Sequence, residues 1–230
     1  MGGDTVPSRI ENVRGSAAMQ PHVSGTEGYA AEADTLLIRY ESIPAEQVHA
    51  AVRHLLPETP ARVLDIGAGT GHDAAWFASL GHQVVAVEPT HELRIGAIEL
   101  HACPAITWID DSLPDLAVLA ARGEQFDLVM STAVLMHLDD AQRRQALPNI
   151  AARIAPGGLL IMTLRHGPVP PGRRMFEIDA EAIIEPARKL GMSLVFNQDG
   201  ASRGAENRAA GVTWTTLAFR SPRDEARNAG

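Results

Sequence analysis

The chain holds one cysteine, Cys103, among its 230 residues. That excludes an intramolecular disulfide and points to a reducing compartment, with Cys103 itself read as a small buried or half-buried apolar residue. No apolar run approaches the length of a membrane span, and residues 1–8 carry no basic-then-apolar leader pattern. Val6 stands where a myristoylation signal requires Ser or Thr. The expectation is a cytoplasmic protein with no membrane partner. An excess of positive charge is also missing: the formal net charge is −8 at pH 7, which argues against a general nucleic-acid-coating role. There is no G-x-S-x-G elbow, no Walker motif and no His/Cys spacing suited to a metal, so no metal is expected.

What is present suffices for one large domain, with 45% hydrophobic residues. The chain is organised around residues 63–71, which read V-L-D-I-G-A-G-T-G. Val63, Leu64 and Ile66, bounded by Pro60 and Gly67, look like a short, fully buried strand. Gly67, Gly69 and Gly71 form a turn, after which Ala74, Ala75, Phe77, Ala78 and Leu80 give a helical apolar face ending at Gly81. Strand, glycine turn and helix N-terminus together bring a ligand close to bare backbone. Dinucleotide enzymes use G-x-G-x-x-G at such a turn, whereas here His72 occupies the place of the last glycine.

Residues 64–71 resemble the first motif of the class I S-adenosylmethionine (SAM) methyltransferases. Residues 71–78, G-H-D-A-A-W-F-A, look most like the subgroup that includes tellurite-resistance methyltransferases. The resemblance covers residues 62–164 well. It implies an α/β, Rossmann-like, doubly wound sheet of seven strands, mostly parallel with an antiparallel last strand and helices on both faces. It also implies SAM as cofactor and S-adenosylhomocysteine (SAH) as product, with Asp65, Gly67, Ala68, Gly69 and Gly71 in the cofactor site. A second strand, 83–87, ends at Glu88-Pro89, and a carboxylate there has two oxygens for the two ribose hydroxyls. A third, 105–109, ends at Asp110-Asp111-Ser112, where the family sets an acid against the adenine amino group. Either aspartate fits that role, and the other would cap a helix beginning near Leu113. A fourth strand, 126–131, leads into Thr132 and Ala133, and a fifth, 159–164, follows an A-P-G-G turn. The Asn/Asp-Pro-Pro-aromatic run of adenine- and glutamine-methylating enzymes is absent after the fourth strand.

Residues 1–25 and 221–230 read as flexible tails, 26–57 as a helical lid and 58–220 as the cofactor-binding domain. The lid is expected to hold two helices, over 29–41 and from Pro44 to Leu56, with Tyr29 and Tyr40 either facing the site or packing the lid down. A helix capped by Asp139 or Asp140 contains Pro148, which should kink or split it. Beyond the fifth strand come a proline-rich loop (165–176), a helix (179–190) and an edge hairpin of strands 192–197 and 212–220. Residues 199–211 between those strands read as polar and flexible.

SAM carries a good leaving group, so such a protein must align the acceptor with the methyl carbon and exclude water. A base is needed only if the acceptor arrives protonated. His137 and His166 are the candidates, each with the alternative of fixing a loop by hydrogen bonding. Arg165, Arg173 and Arg174 suggest recognition of a carboxylate or phosphate on the acceptor, Arg173 and Arg174 having a solvated loop tip as their alternative. The expected activity is methyl transfer to an oxygen or nitrogen of a small molecule by a monomer or homodimer. A nucleic acid or protein acceptor, or non-catalytic binding of SAM or SAH, are the alternatives.

Overall fold

The computed structural model describes residues 23–223, so most of both expected tails lies outside the described residues. Seven strands form one sheet: β1 (Arg62–Ile66), β2 (Gln83–Val87), β3 (Ile106–Ile109), β4 (Phe126–Thr132), β5 (Ile154–His166), β6 (Ser193–Ala201) and β7 (Thr213–Arg220). Their order is β3-β2-β1-β4-β5-β7-β6, and only β7 runs against its neighbours. The order reverses between β1 and β4, where a doubly wound sheet opens a crevice at its carboxyl edge.

The strands are apolar runs because both faces of the sheet are covered. Alternate side chains of β1 illustrate this: Leu64 joins Val85, Val129 and Leu160 on one face, and Val63 joins Val84, Leu128 and Leu159 on the other. The first face packs on α5 (Ala117–Arg122), α6 (Asp140–Ala151) and α7 (Glu181–Lys189) through Leu119, Ile150 and Ile184. The second receives Ala74 and Phe77 of α3 (His72–Ser79). Helix α4 (His91–Leu100) packs instead on the lid helix α1 (Ala33–Arg39), where a Cβ at Gly96 would strike Leu37.

Several local expectations give way to tertiary packing. After α1 and a 3-10 turn at Tyr40–Ser42, the second lid helix is reduced to one turn, α2 (Ala45–Val48), followed by a 3-10 turn at Arg53–Leu55. One uncapped turn cannot sustain itself, and the chain bends so that His49 and Val52 become buried. Helix α6 is not split at Pro148: the proline and Arg144, whose carbonyl it leaves without an N–H, both lie on the exposed side of the helix. Its cap is Asp139, whose carboxylate accepts the Gln142 N–H while Gln142 returns the bond. The stretch 199–211 is not a flexible connection. Strand β6 continues through it, pairing Asp199 with Thr215 and Ala201 with Thr213, and a short helix α8 (Ala205–Ala209) follows. Strand pairing there overrides a polar composition. Cys103 is exposed rather than buried, in the turn after α4.

Phe77 carries the packing of α3, and with it the end of the glycine turn, onto the sheet. Phe77→Ala should cost about 3–5 kcal/mol in chemical denaturation. A loss under about 1 kcal/mol would contradict this account of the packing.

Candidate functional site

The glycine turn at the carboxyl end of β1 is shaped by close approach. Gly67 has φ +71°, and a Cβ there would lie 2.5 Å from a Val134 methyl. Val134 is aimed at it by Ala133, a non-glycine residue at φ +60° whose N–H donates to Thr163 Oγ1 at 2.9 Å. Gly71 has φ +80°, and its Cβ would meet the Trp108 ring at 2.7 Å. The turn also spends its own amides. The N–H groups of Gly67 and Ala68 both donate to the Val87 carbonyl at 2.9 Å, Gly71 donates to Ala68, and Gly69 donates to Glu88 Oε2 at 2.9 Å. With four of the five amides of residues 67–71 so engaged, the turn offers a phosphate little free backbone N–H.

Around it stand three carboxylates, the buried Asp65 and Glu88 and the half-buried Asp73. Asp65 is 1% exposed and its Oδ2 has no hydrogen-bond partner. Burial pushes its carboxyl well up, and the neighbouring Asp73 and Glu88 push it further. Glu88, 5% exposed, is also raised by burial, although it accepts N–H bonds from Thr90 at 2.7 Å and from Gly69. Asp73 goes the other way. Burial would raise it, but His49 Nε2 at 2.9 Å and the Thr132 hydroxyl at 2.9 Å outweigh burial and hold it below the usual range.

These groups face a cavity of about 1280 Å³ at the carboxyl edge of the sheet. Of the cofactor candidates, Asp65, Gly67, Ala68, Gly69, Glu88, Pro89, Asp111, Ser112, Thr132 and Ala133 line it. Asp110 does not, because its exposed carboxylate is paired with Arg94 at 2.7 Å. Gly71 is also outside the lining, since its lack of a side chain serves Trp108. Asp111 lines the cavity and also accepts the Leu119 N–H at 2.9 Å in the first turn of α5.

On the acceptor side the lining includes Tyr29, Tyr40, His137, Arg165 and Arg173. His137 Nδ1 lies 2.9 Å from the Arg174 carbonyl, which can only accept, so Nδ1 carries the proton. Nε2 is then an acceptor, and the Tyr29 hydroxyl donates to it at 3.0 Å. Burial pushes His137 down despite that carbonyl, and the Arg173 charge adds to the effect, so the ring is neutral. Burial, with Tyr40 beside it, pushes the Tyr29 phenol up, so Tyr29 keeps its proton.

The three arginines have separate fates. Arg173 pairs with Glu32 at 2.7 Å and lies 4.1 Å over the Tyr29 ring, with its side chain 5% exposed; it is not a solvated loop tip. Arg174 is outside the lining: it donates to the His137 carbonyl at 2.7 Å and pairs with Asp139 at 3.1 Å, holding the loop to α6. Arg165 alone among the three keeps an uncommitted charge, donating to the Pro168 carbonyl at 2.9 Å while burial pushes it down. His166 is also outside the lining. Strand β5 runs on to it, and its Nε2 donates to Thr215 Oγ1 at 2.8 Å.

Sequence reasoning assigned nothing to Asp73 or to the wall formed by residues 198–207. Asp73 had a signal, its place two residues past the last glycine. The wall had none, because its polar composition gives no strand period.

A doubly wound sheet whose carboxyl edge carries an acid-lined crevice defines a Rossmann-like small-molecule-binding domain. A methyltransferase-domain family model matches residues 40–197, more than half of the chain, and the chain belongs to that family. Over 102 residues it is 36% identical to a ubiquinone biosynthesis O-methyltransferase of Bradyrhizobium sp. (strain ORS 278), covering 44% of this chain and 39% of that enzyme. The match thus spans about two fifths of the relative's length. Two solved structures share the fold. One is the N-methyltransferase NodS from Bradyrhizobium japonicum WM9 in complex with SAH, with TM-score 0.64, 19% identity, and 84% of this chain and 98% of that chain covered. The other is the 1,6-didemethyltoxoflavin-N1-methyltransferase of Burkholderia thailandensis, with TM-score 0.66, 21% identity, and 84% and 85% covered.

The mutual repulsion of the buried acids has a measurable sign. A carboxyl that holds its proton more tightly folded than unfolded loses native stability as pH rises from the ordinary carboxylate range through its raised value. Asp65→Asn removes that loss, so its thermal midpoint should exceed the wild-type value at about pH 8, and by more than at about pH 5. An equal or lower midpoint at the higher pH would contradict the assignment.

Proposed function

We propose that this chain is a SAM-dependent methyltransferase acting on an oxygen or nitrogen of a small molecule by in-line displacement. The observation that carries the reading is the ring of Asp65, Asp73 and Glu88 around a glycine turn that spends the amides of Gly67, Ala68, Gly69 and Gly71 internally. Three carboxylates in so sheltered a place repel a pyrophosphate and welcome a cation. A cofactor with an ammonium and a sulfonium fits, and the unpartnered Asp65 Oδ2 is a ready acceptor for the ammonium. Glu88 would hold the ribose diol through lone pairs left over from its two backbone bonds. At the adenine end Asp111 and Ser112 face the cavity, and Asp110 is engaged elsewhere. SAM would supply a methyl carbon on a good leaving group. The protein's part is to orient the acceptor, exclude water and take its proton.

His137 suits the last task. It is neutral, its tautomer is fixed, and its basic Nε2 faces the cavity with the Tyr29 hydroxyl as its present partner. An acceptor hydroxyl or amine that displaces Tyr29 would find a lone pair waiting. Arg165 supplies a guanidinium for an acidic group on the acceptor, and Trp214, Met175, Val169 and Pro170 supply apolar wall. The lid, residues 26–57, and the segment carrying α8 enclose the space, which favours a small acceptor over a polymer. Kinship with the tellurite-resistance subgroup rests on residues 71–78 alone, and a cytoplasmic location on the single cysteine.

Methyl transfer from labelled SAM to a panel of small phenols and amines, with and without carboxylate or phosphate groups, tests the reading. On any acceptor found, His137→Ala should lower kcat about 10²–10⁴-fold. Arg165→Ala should raise KM for acidic acceptors only. Wild-type turnover in the His137 variant would remove the base from the mechanism.

A further inference from the structure

The lid is fastened to the cofactor turn by one side chain that does not itself face the cavity. Glu41, in the 3-10 turn at Tyr40–Ser42, accepts the Thr70 hydroxyl at 2.7 Å, and its other oxygen lies 2.7 Å from His72 Nδ1. The first oxygen is also 3.2 Å from His101 Nε2, just beyond α4. A single carboxylate thus joins the lid to the glycine turn, to the first residue of α3 and to the end of α4. The geometry is that of a built contact. Burial would raise Glu41, yet the bonds from His72, Thr70 and His101 outweigh it and hold the carboxyl below its ordinary value. The residues on either side, Tyr40 and Ser42, do line the cavity, as does Thr70.

We propose that Glu41 is the latch that keeps the lid closed over the cofactor, a positioning residue that controls how fast cofactor and product leave. The proposal rests on the SAM-binding reading above. The cavity lies between the lid and the turn, so a molecule on the turn cannot leave past Tyr40 and Ser42 unless those residues move. Nothing else in their 3-10 turn holds them to the turn so directly: Tyr40 packs under Arg39, and Ser42 bonds back to the Arg39 carbonyl. The other polar lid fastenings are Tyr29 on His137, Glu32 on Arg173 and His49 on Asp73, and α1 packs on α4 with Leu37 over Gly96. Removing Glu41 should therefore free the 3-10 turn at Tyr40–Ser42 while the rest of the lid stays anchored.

The test compares SAH release from wild type, Glu41→Ala and Glu41→Gln by stopped flow, alongside hydrogen exchange of the ligand-free proteins. Glu41→Ala loses charge-assisted hydrogen bonds, so release should accelerate about tenfold or more. Glu41→Gln, which keeps an acceptor for Thr70, should fall between. Exchange should quicken in residues 40–43 and stay unchanged in β1, β4 and β5, a pattern that general destabilisation would not give. Thr70→Val cuts one of the two 2.7 Å contacts from the other side and should also speed release, which covers the case of a Glu41 variant that fails to fold. Wild-type release rates in both Glu41→Ala and Thr70→Val would overturn the latch. Wild-type protein that binds neither SAM nor SAH would instead overturn the methyltransferase reading, and the latch with it.

Discussion

Asp65, Asp73 and Glu88 lie at the carboxyl edge of β1, the start of α3 and the tip of β2, the first and last nearly removed from water, Asp73 half-buried, and close enough that Asp73 and Glu88 push the Asp65 carboxyl up. Buried like charges are costly, and a fold that keeps them must hold them in place and use them. The surroundings are arranged to that end. His49 and Thr132 compensate Asp73, backbone amides of Gly69 and Thr90 compensate Glu88, and Asp65 is left with an oxygen that nothing among the described residues satisfies. A cationic ligand relieves the charge that the protein leaves uncompensated. The stability that the ligand-free chain forgoes in this crevice is available for binding.

The lid and the loop after β5 complete the arrangement from the other side. Arg173 and Arg174 are structural: they tie that loop to the lid through Glu32 and Tyr29, and to α6 through Asp139. Because those charges are spent internally, Arg165 is left as the guanidinium of this loop with an uncommitted charge to offer. The Tyr29–His137 hydrogen bond joins residues 26–57 to the loop after β4, so on the proposed reading a movement of Tyr29 would uncover His137 Nε2.

The parts legible in the sequence were those with a local signature. Strand β2 lies where its V-V-A-V run puts it, the parallel strands follow from the alternation of strands and helices, and the antiparallel last strand is what the family resemblance implies. The glycine turn was legible from three glycines, though the motif alone could not reveal that Gly71 also makes room for the Trp108 ring. What the sequence hid depends on partners distant in the chain. His166 and Arg174 carry the right chemistry at nearly the right place, but strand pairing sends one to Thr215 and an ion pair sends the other to Asp139. Residues 199–207 have a polar composition, and only the ladder with β7 makes them a wall. The choice between Asp110 and Asp111 turns on Arg94, sixteen residues away from Asp110.

The most direct measurement is calorimetric titration of the purified protein with SAM and, in parallel, with NAD, repeated on Glu88→Ala. An acid-lined turn with occupied amides predicts micromolar SAM binding, no measurable NAD binding, and loss of the SAM signal in a folded Glu88 variant. NAD binding by the wild type, or SAM binding untouched by Glu88→Ala, would contradict the claim that these carboxylates define the cofactor.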